Sequence, residues 1–175
     1  MKKSILLPVM MAAFVLAHGA VAADNVRLSG ALVAEPCTLP DTDTNIRLDF
    51  GSVVTKYLYQ YQRTKSQPFA IHLQECDPSV MSTVSVTFQG TADKELTDLL
   101  ALDASSTAKG VAVGIERQDG TLLPVNKAGP EMALASGNTT LNFRAFVQIQ
   151  PGAQAKRSLT EGSFTAISTF ILGYQ

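Results

Sequence analysis

Charge is scarce in this chain. Only 17% of its 175 residues are Asp, Glu, Lys or Arg, against 46% hydrophobic ones, and the formal net charge is −1. Without a basic surplus there is no electrostatic footprint for a nucleic acid. Histidine is scarcer still, with two residues in the chain. One of them, His18, falls in a segment read below as a leader. The other, His72, sits between Ile71 and Leu73 and faces away from them on an alternating stretch. It is expected as a surface or hydrogen-bonded histidine rather than a general base. The sequence has no Gly-x-Ser-x-Gly elbow, no Gly-x-Gly-x-x-Gly and no phosphate loop. Asp41, Asp43 and Asp49 lack the loop glycine and closing glutamate of a calcium loop, and read as solvated turn residues. Asn138-Thr139-Thr140 is a formal glycosylation acceptor, read as a chance match in a turn. No catalytic, cofactor or metal site is expected, and no enzyme.

Cysteine is limited to two residues, Cys37 and Cys76. They are too far apart for a redox pair or a zinc knuckle. In an exported chain an even pair reads as one disulfide, which would stabilise the fold by about 4 kcal/mol on the chain-entropy model. Export is indicated by the N-terminus. Lys2 and Lys3 precede the apolar run Ile5 to Leu16, and Ala20-Val21-Ala22-Ala23 follows, as in a secretory signal peptide over residues 1–23. The run is short for a membrane span of about 20 residues, and no later segment could span. Cleavage after Ala22 or Ala23 leaves about 152 residues, the length of one domain, with 12 basic and 15 acidic groups, about −3.

What the chain does have is period-two alternation. It recurs at Val26–Leu32, Ile46/Leu48/Phe50, Phe69/Ile71/Leu73, Val84/Val86/Phe88, Val111/Val113/Ile115 and Leu141 to Ile149. Asp119-Gly120 marks a hairpin turn into Leu122 and Leu123, and Pro151-Gly152 a stop. Only Asp93 to Leu102 has helical spacing, through Leu96, Leu99 and Leu100. Tyr57, Tyr59 and Tyr61 fall on one face of an expected strand, as packing over a sheet or as a sticky surface. The last stretch, Gly162 to Gln175, puts Phe164, Ala166, Phe170, Leu172 and Tyr174 on one parity, with Thr165, Ile167, Thr169 and Ile171 on the other. It is expected as a terminal strand covered on both faces. An apolar strand running to the last residue needs something to cover it. The expected class is an all-β sandwich with one disulfide.

Both ends together resemble the pilin subunits of chaperone–usher, type 1-like fimbriae. The residues that carry this are Asp24-Asn-Val-Arg-Leu-Ser-Gly30-Ala-Leu-Val-Ala-Glu-Pro-Cys37, Pro68-Phe-Ala-Ile-His-Leu-Gln-Glu-Cys76-Asp, Val84 to Gly90, Lys109-Gly-Val-Ala-Val-Gly-Ile, Gly162 and the penultimate Tyr174. The resemblance covers essentially all of the chain after the leader. It implies an immunoglobulin-like sandwich (the pilin fold, 36–175) that lacks its last strand, preceded by a donor-strand extension (24–35). The groove is completed first by a periplasmic chaperone. At the outer-membrane usher it is completed by the extension of the neighbouring subunit. On that pattern the donor face is Val26, Leu28, Gly30 and Leu32, with Asp24 at a position usually apolar in the family. The acceptor edge is Gly162, Phe164, Ala166, Phe170, Leu172 and Tyr174, with the Gln175 carboxylate as the chaperone anchor. The implied role is a structural subunit of a surface fimbria that contributes to adhesion. A single domain disfavours a two-domain tip adhesin. Rod, terminator and tip-adaptor positions all remain, with a minor, tip-adaptor-like subunit expected. The alternative is a secreted single-domain carbohydrate- or receptor-binding module using the tyrosine row. A small periplasmic hydrolase is the least expected class.

Overall fold

The computed structural model describes residues 28–32 and 34–175. The leader and Val26 lie outside them. The chain divides into two units, one ending at Val33 and one spanning Ala34–Gln175. In the first unit, residues 28–32 form no strand, and Leu28 and Leu32 are exposed.

The second unit is built from two three-stranded sheets. One has the order β1 (Gln67–Cys76), β5 (Gly137–Ile149), β3 (Val111–Arg117), all antiparallel. The other has β4 (Met132–Ala133), β2 (Thr83–Gln89) and β6 (Thr169–Tyr174). Their inner faces are the alternating apolar positions of the sequence. Ile71, Leu73, Val113, Ile115, Leu141 and Phe143 from the first sheet meet Val84, Val86 and Phe88 from the second in one buried cluster. Phe88 packs edge-on against Phe143, with ring centroids 5.1 Å apart. This is a β-sandwich of immunoglobulin type, built as sheet on sheet around an apolar core.

The outer face of the first sheet is covered as well. Ala112, Phe146 and Leu99 form a second buried group there, so β3 is buried through Glu116 on both parities. A further cluster joins Val111, Val147 and Ile149 to two short helices, α1 (Thr55–Tyr61) through Leu58 and α2 (Pro151–Lys156) through Ala153. Pro151 therefore opens a helix rather than only ending a strand, a position that suits its fixed φ.

Three stretches differ from their expected form. The tyrosine row is α1, closed by Gln62 in the left-handed region, whose N–H reaches the Leu58 carbonyl. Among the described residues no neighbouring strand is there to pair it. Asp93 to Leu102 is not a helix. The Asp93 carboxylate accepts the Glu95 and Leu96 N–H groups at 2.9 Å, and Ala92 bridges Leu100 across the resulting turn. Ile46 to Phe50 alternates but pairs with no strand among the described residues.

Candidate functional site: an open strand edge

The C-terminal strand has a partner on one side only. β6 runs antiparallel to β2 with Val84 opposite Tyr174, Val86 opposite Leu172 and Phe88 opposite Phe170. Next in register, Thr83 and Gln175 exchange both backbone bonds, at 2.9 and 3.0 Å. Bonded and non-bonded pairs alternate in an antiparallel ladder. Gly173, Ile171 and Thr169 therefore bond to β2, and the N–H and C=O groups of Phe170, Leu172 and Tyr174 point away from it. Among the described residues no strand lies on that side. The same three residues turn their side chains onto the core but remain half-exposed, as do Phe164 and Ala166. One row of residues thus presents unpaired backbone and incompletely covered apolar side chains together.

Upstream of β6 the chain is held differently. Ser163 accepts the Thr107 and Ala108 N–H groups at 2.9 and 3.1 Å, and Thr165 accepts that of Asp103 at 2.8 Å. Gly162, at φ 153°, lies where a Cβ would come within 2.9 Å of the Ala108 nitrogen. Any larger residue would push the chain off this contact. The outer parity is bare, with Ile167 70% and Ile171 44% exposed. The expected cover on both faces is therefore absent on this one. Ile171 lies on the solvent side of the sheet, and Ile167 just before β6.

The other flank of the groove is the 35–50 segment. Thr38 and Gln74 exchange backbone bonds at 2.7 and 2.9 Å, which lays this segment along β1. Ile46 and Phe50 then pack onto the same core as β6. Phe50 meets Phe164 at one end, with centroids 6.2 Å apart. At the other end burial raises the Tyr174 phenol pKa, and the Glu35 charge adds to the shift. The two flanks therefore run in opposite directions with their apolar side chains between them. The unpaired alternation of Ile46–Phe50 is the second edge of this gap.

Of the remaining residues singled out by sequence, Leu28, Gly30 and Leu32 are exposed, and a Cβ on Gly30 would meet nothing within 4 Å. Cys37 and Cys76 form the disulfide, with Cα atoms 4.1 Å apart, and tie the start of the domain to the end of β1. The tyrosines are not brought together as a platform. Tyr57 and Tyr61 stack at 4.5 Å, while the Tyr59 hydroxyl accepts the Leu159 N–H at 2.9 Å.

His72 is an exposed side chain whose Nδ1 pairs with Asp43 at 2.7 Å. Asp43 itself corrects the sequence reading. It is 7% exposed rather than solvated, and its carboxylate also accepts the His72 N–H on the edge of β1. Burial would raise its pKa, but these hydrogen bonds and one from Thr42 outweigh that and hold it below the ordinary 3.8. Glu116 is 2% exposed and gave no signal in the sequence. It accepts from Arg63 at 2.8 Å and Ser66 at 2.6 Å. Both carboxylates serve to fasten loops to the first sheet. Among the described residues no group of His, Cys, Asp and Glu is placed to hold a metal ion.

Comparison with known proteins agrees over nearly the whole chain. The family model described as fimbrial protein matches residues 26–175. The chain is 35% identical to an uncharacterized fimbrial-like protein, YfcP, of Escherichia coli K12, over 95% of its own length and 93% of the relative's. It is 34% identical to the major MR/P fimbria protein of Proteus mirabilis, over 92% and 91% of the two chains. Its fold matches the P pilus rod subunit PapA with a TM-score of 0.70 and 24% identity, covering 81% of this chain and all of that one. A chaperone–usher pilus subunit matches with a TM-score of 0.69 and 23% identity, covering 88% and 96%.

Proposed function

The chain belongs to the fimbrial protein family, and from that premise we infer that its groove is filled by a strand from another polypeptide. It is a structural subunit of a surface fimbria, assembles with other subunits and is not an enzyme. The observation that carries the further reading is the edge of β6. Phe170, Leu172 and Tyr174 offer backbone bonds and core-facing side chains to the same missing neighbour. Left open, such an edge is a template for aggregation. A donor strand would satisfy both needs at once, the backbone by β-augmentation and the side chains by alternate pockets.

The donor is assigned to the extension 24–35, with Val26, Leu28, Gly30 and Leu32 as the inserted face. The exposed, strand-free state of residues 28–32 supports an arm that has yet to find its groove. During export through the periplasm a fimbrial chaperone supplies the temporary strand and anchors the Gln175 carboxylate. At the outer-membrane usher the arm of the neighbouring subunit replaces it. The test is to express the mature chain in a periplasm with and without a fimbrial chaperone and size the soluble product. The account expects soluble protein only as a one-to-one complex. A stable monomer without the chaperone would overturn it and favour the self-contained binding module.

A further inference from the structure

Beside α1 lies a cavity of about 440 Å³ whose wall includes Phe50, Val53, Val54 and Tyr57, with Lys56 and Lys65 at its rim. The fold does not use it. Val54 is 60% exposed, and neither lysine has a carboxylate within salt-bridge distance among the described residues. Asp49 accepts the Gly51 N–H at 2.8 Å, and Glu161 reaches the Thr55 hydroxyl at 3.5 Å. Phe50 borders both spaces, since it lines the cavity and meets Phe164 across the end of the groove.

We propose that this cavity is a docking site for the joint between donor arm and domain of an incoming second copy, with that copy's Glu35 set against Lys56 and Lys65. The proposal rests on the donor-strand reading above. Every ladder between the described strands is antiparallel, and that pairing is the more stable per residue. A donor arm laid antiparallel to β6 starts beside Tyr174 and leaves beside Phe164, with Leu32 last. Three residues further on, roughly 10 Å at the rise of an extended chain, comes Glu35. Pro36 is already buried in the incoming domain, and its carbonyl accepts the Asp77 N–H at 2.7 Å. The joint is therefore short, and Ala34 and Glu35 have to lie against the acceptor just outside the Phe50–Phe164 end. A hollow with an apolar wall of Phe50, Val53, Val54 and Tyr57, whose lining also carries the two lysines, is what they find there. Alanine suits the hollow, and the single carboxylate of the joint suits the rim.

The test uses labelled synthetic peptides refolded together with the full mature chain, with dissociation followed by competition. One peptide spans 24–33 and the other 24–36. The longer peptide should dissociate roughly two- to fivefold more slowly, the range of one partly exposed charge pair. Lys56→Glu with Lys65→Glu should erase that difference while leaving the 24–33 peptide unaffected. A 24–36 peptide carrying Glu35→Lys should recover it on the charge-reversed acceptor. If the two wild-type peptides dissociate alike, or charge reversal brings no recovery, the docking proposal is overturned and the groove reading stands. If the 24–33 peptide does not bind at all, the groove reading falls and this proposal falls with it.

Discussion

Gly114 on β3 sits under the ring of Phe146, and the Arg63 guanidinium stacks over the same ring 3.7 Å from its centroid. A Cβ there would collide with three ring atoms, so neither Phe146 nor Arg63 could keep its place. Gly114→Ala should cost about 1–3 kcal/mol, the usual range for overpacking a filled interior. Urea unfolding of the donor-complemented protein measures it, and an unchanged midpoint would show that the ring has room to move. Asp43 makes a prediction in pH. Its carboxyl is held below 3.8 in the folded state, so it contributes stability above that value. The contribution is lost as pH falls through the depressed folded-state value. Asp43→Asn should lower stability at neutral pH and flatten the acid limb of the stability curve. An acid limb identical to the wild type would remove Asp43 from that role. Neither Gly114 nor Asp43 could be assigned from the sequence. Close approach and buried partners 29 residues apart leave no local pattern.

At the scale of elements, the donor-strand proposal makes β6 the acceptor. Deleting Phe170 to Gln175 should abolish capture by a chaperone in a pull-down from periplasm, whereas retained capture would move the acceptor edge elsewhere. The strands β1, β2, β3 and β5 were legible because each has one face in a common core, and alternation records that face directly. The tyrosine row misled because residues two apart mark one face of a strand, while the four-residue step from Tyr57 to Tyr61 also marks one face of a helix. With no strand beside it, the local chain took the helix. The Asp93–Leu102 stretch misled in the opposite sense. Leucines at helical spacing were overridden by tertiary pairing, since Leu100 exchanges both backbone bonds with Val113 of β3 at 2.8 and 2.9 Å and bridges Ala92. Ile46–Phe50 was read as a strand and has the right alternation. It lacks only a neighbour, which is what a missing donor strand would leave.

At the largest scale, the unit from Ala34 on is a sandwich with no strand on one side of β6 among the described residues, and the proposal gives the extension 24–35 the alternation to fill it. This head-to-tail relation generates an open fibre rather than a closed ring when the donor goes to the next copy. Gly30 separates folding from assembly. Gly30→Leu should still give soluble chaperone-bound subunit, since the chaperone fills the groove. It should fail to incorporate into fibres, because a large side chain on the donor face would not seat. Normal incorporation would remove Gly30 from the donor strand.

The central claim is that the free edge of β6 is completed by a strand from outside, and amide hydrogen exchange tests it residue by residue. The mature chain is diluted from denaturant and pulse-labelled before it aggregates, alone and with a peptide spanning residues 24–33. Without the peptide, the Ile171 and Gly173 amides should be protected by β2 while those of Phe170, Leu172 and Tyr174 exchange fast. Adding the peptide should slow those three and leave the other two nearly unchanged. Protection of Phe170, Leu172 and Tyr174 in the protein alone, or no slowing when the peptide binds, would contradict the account.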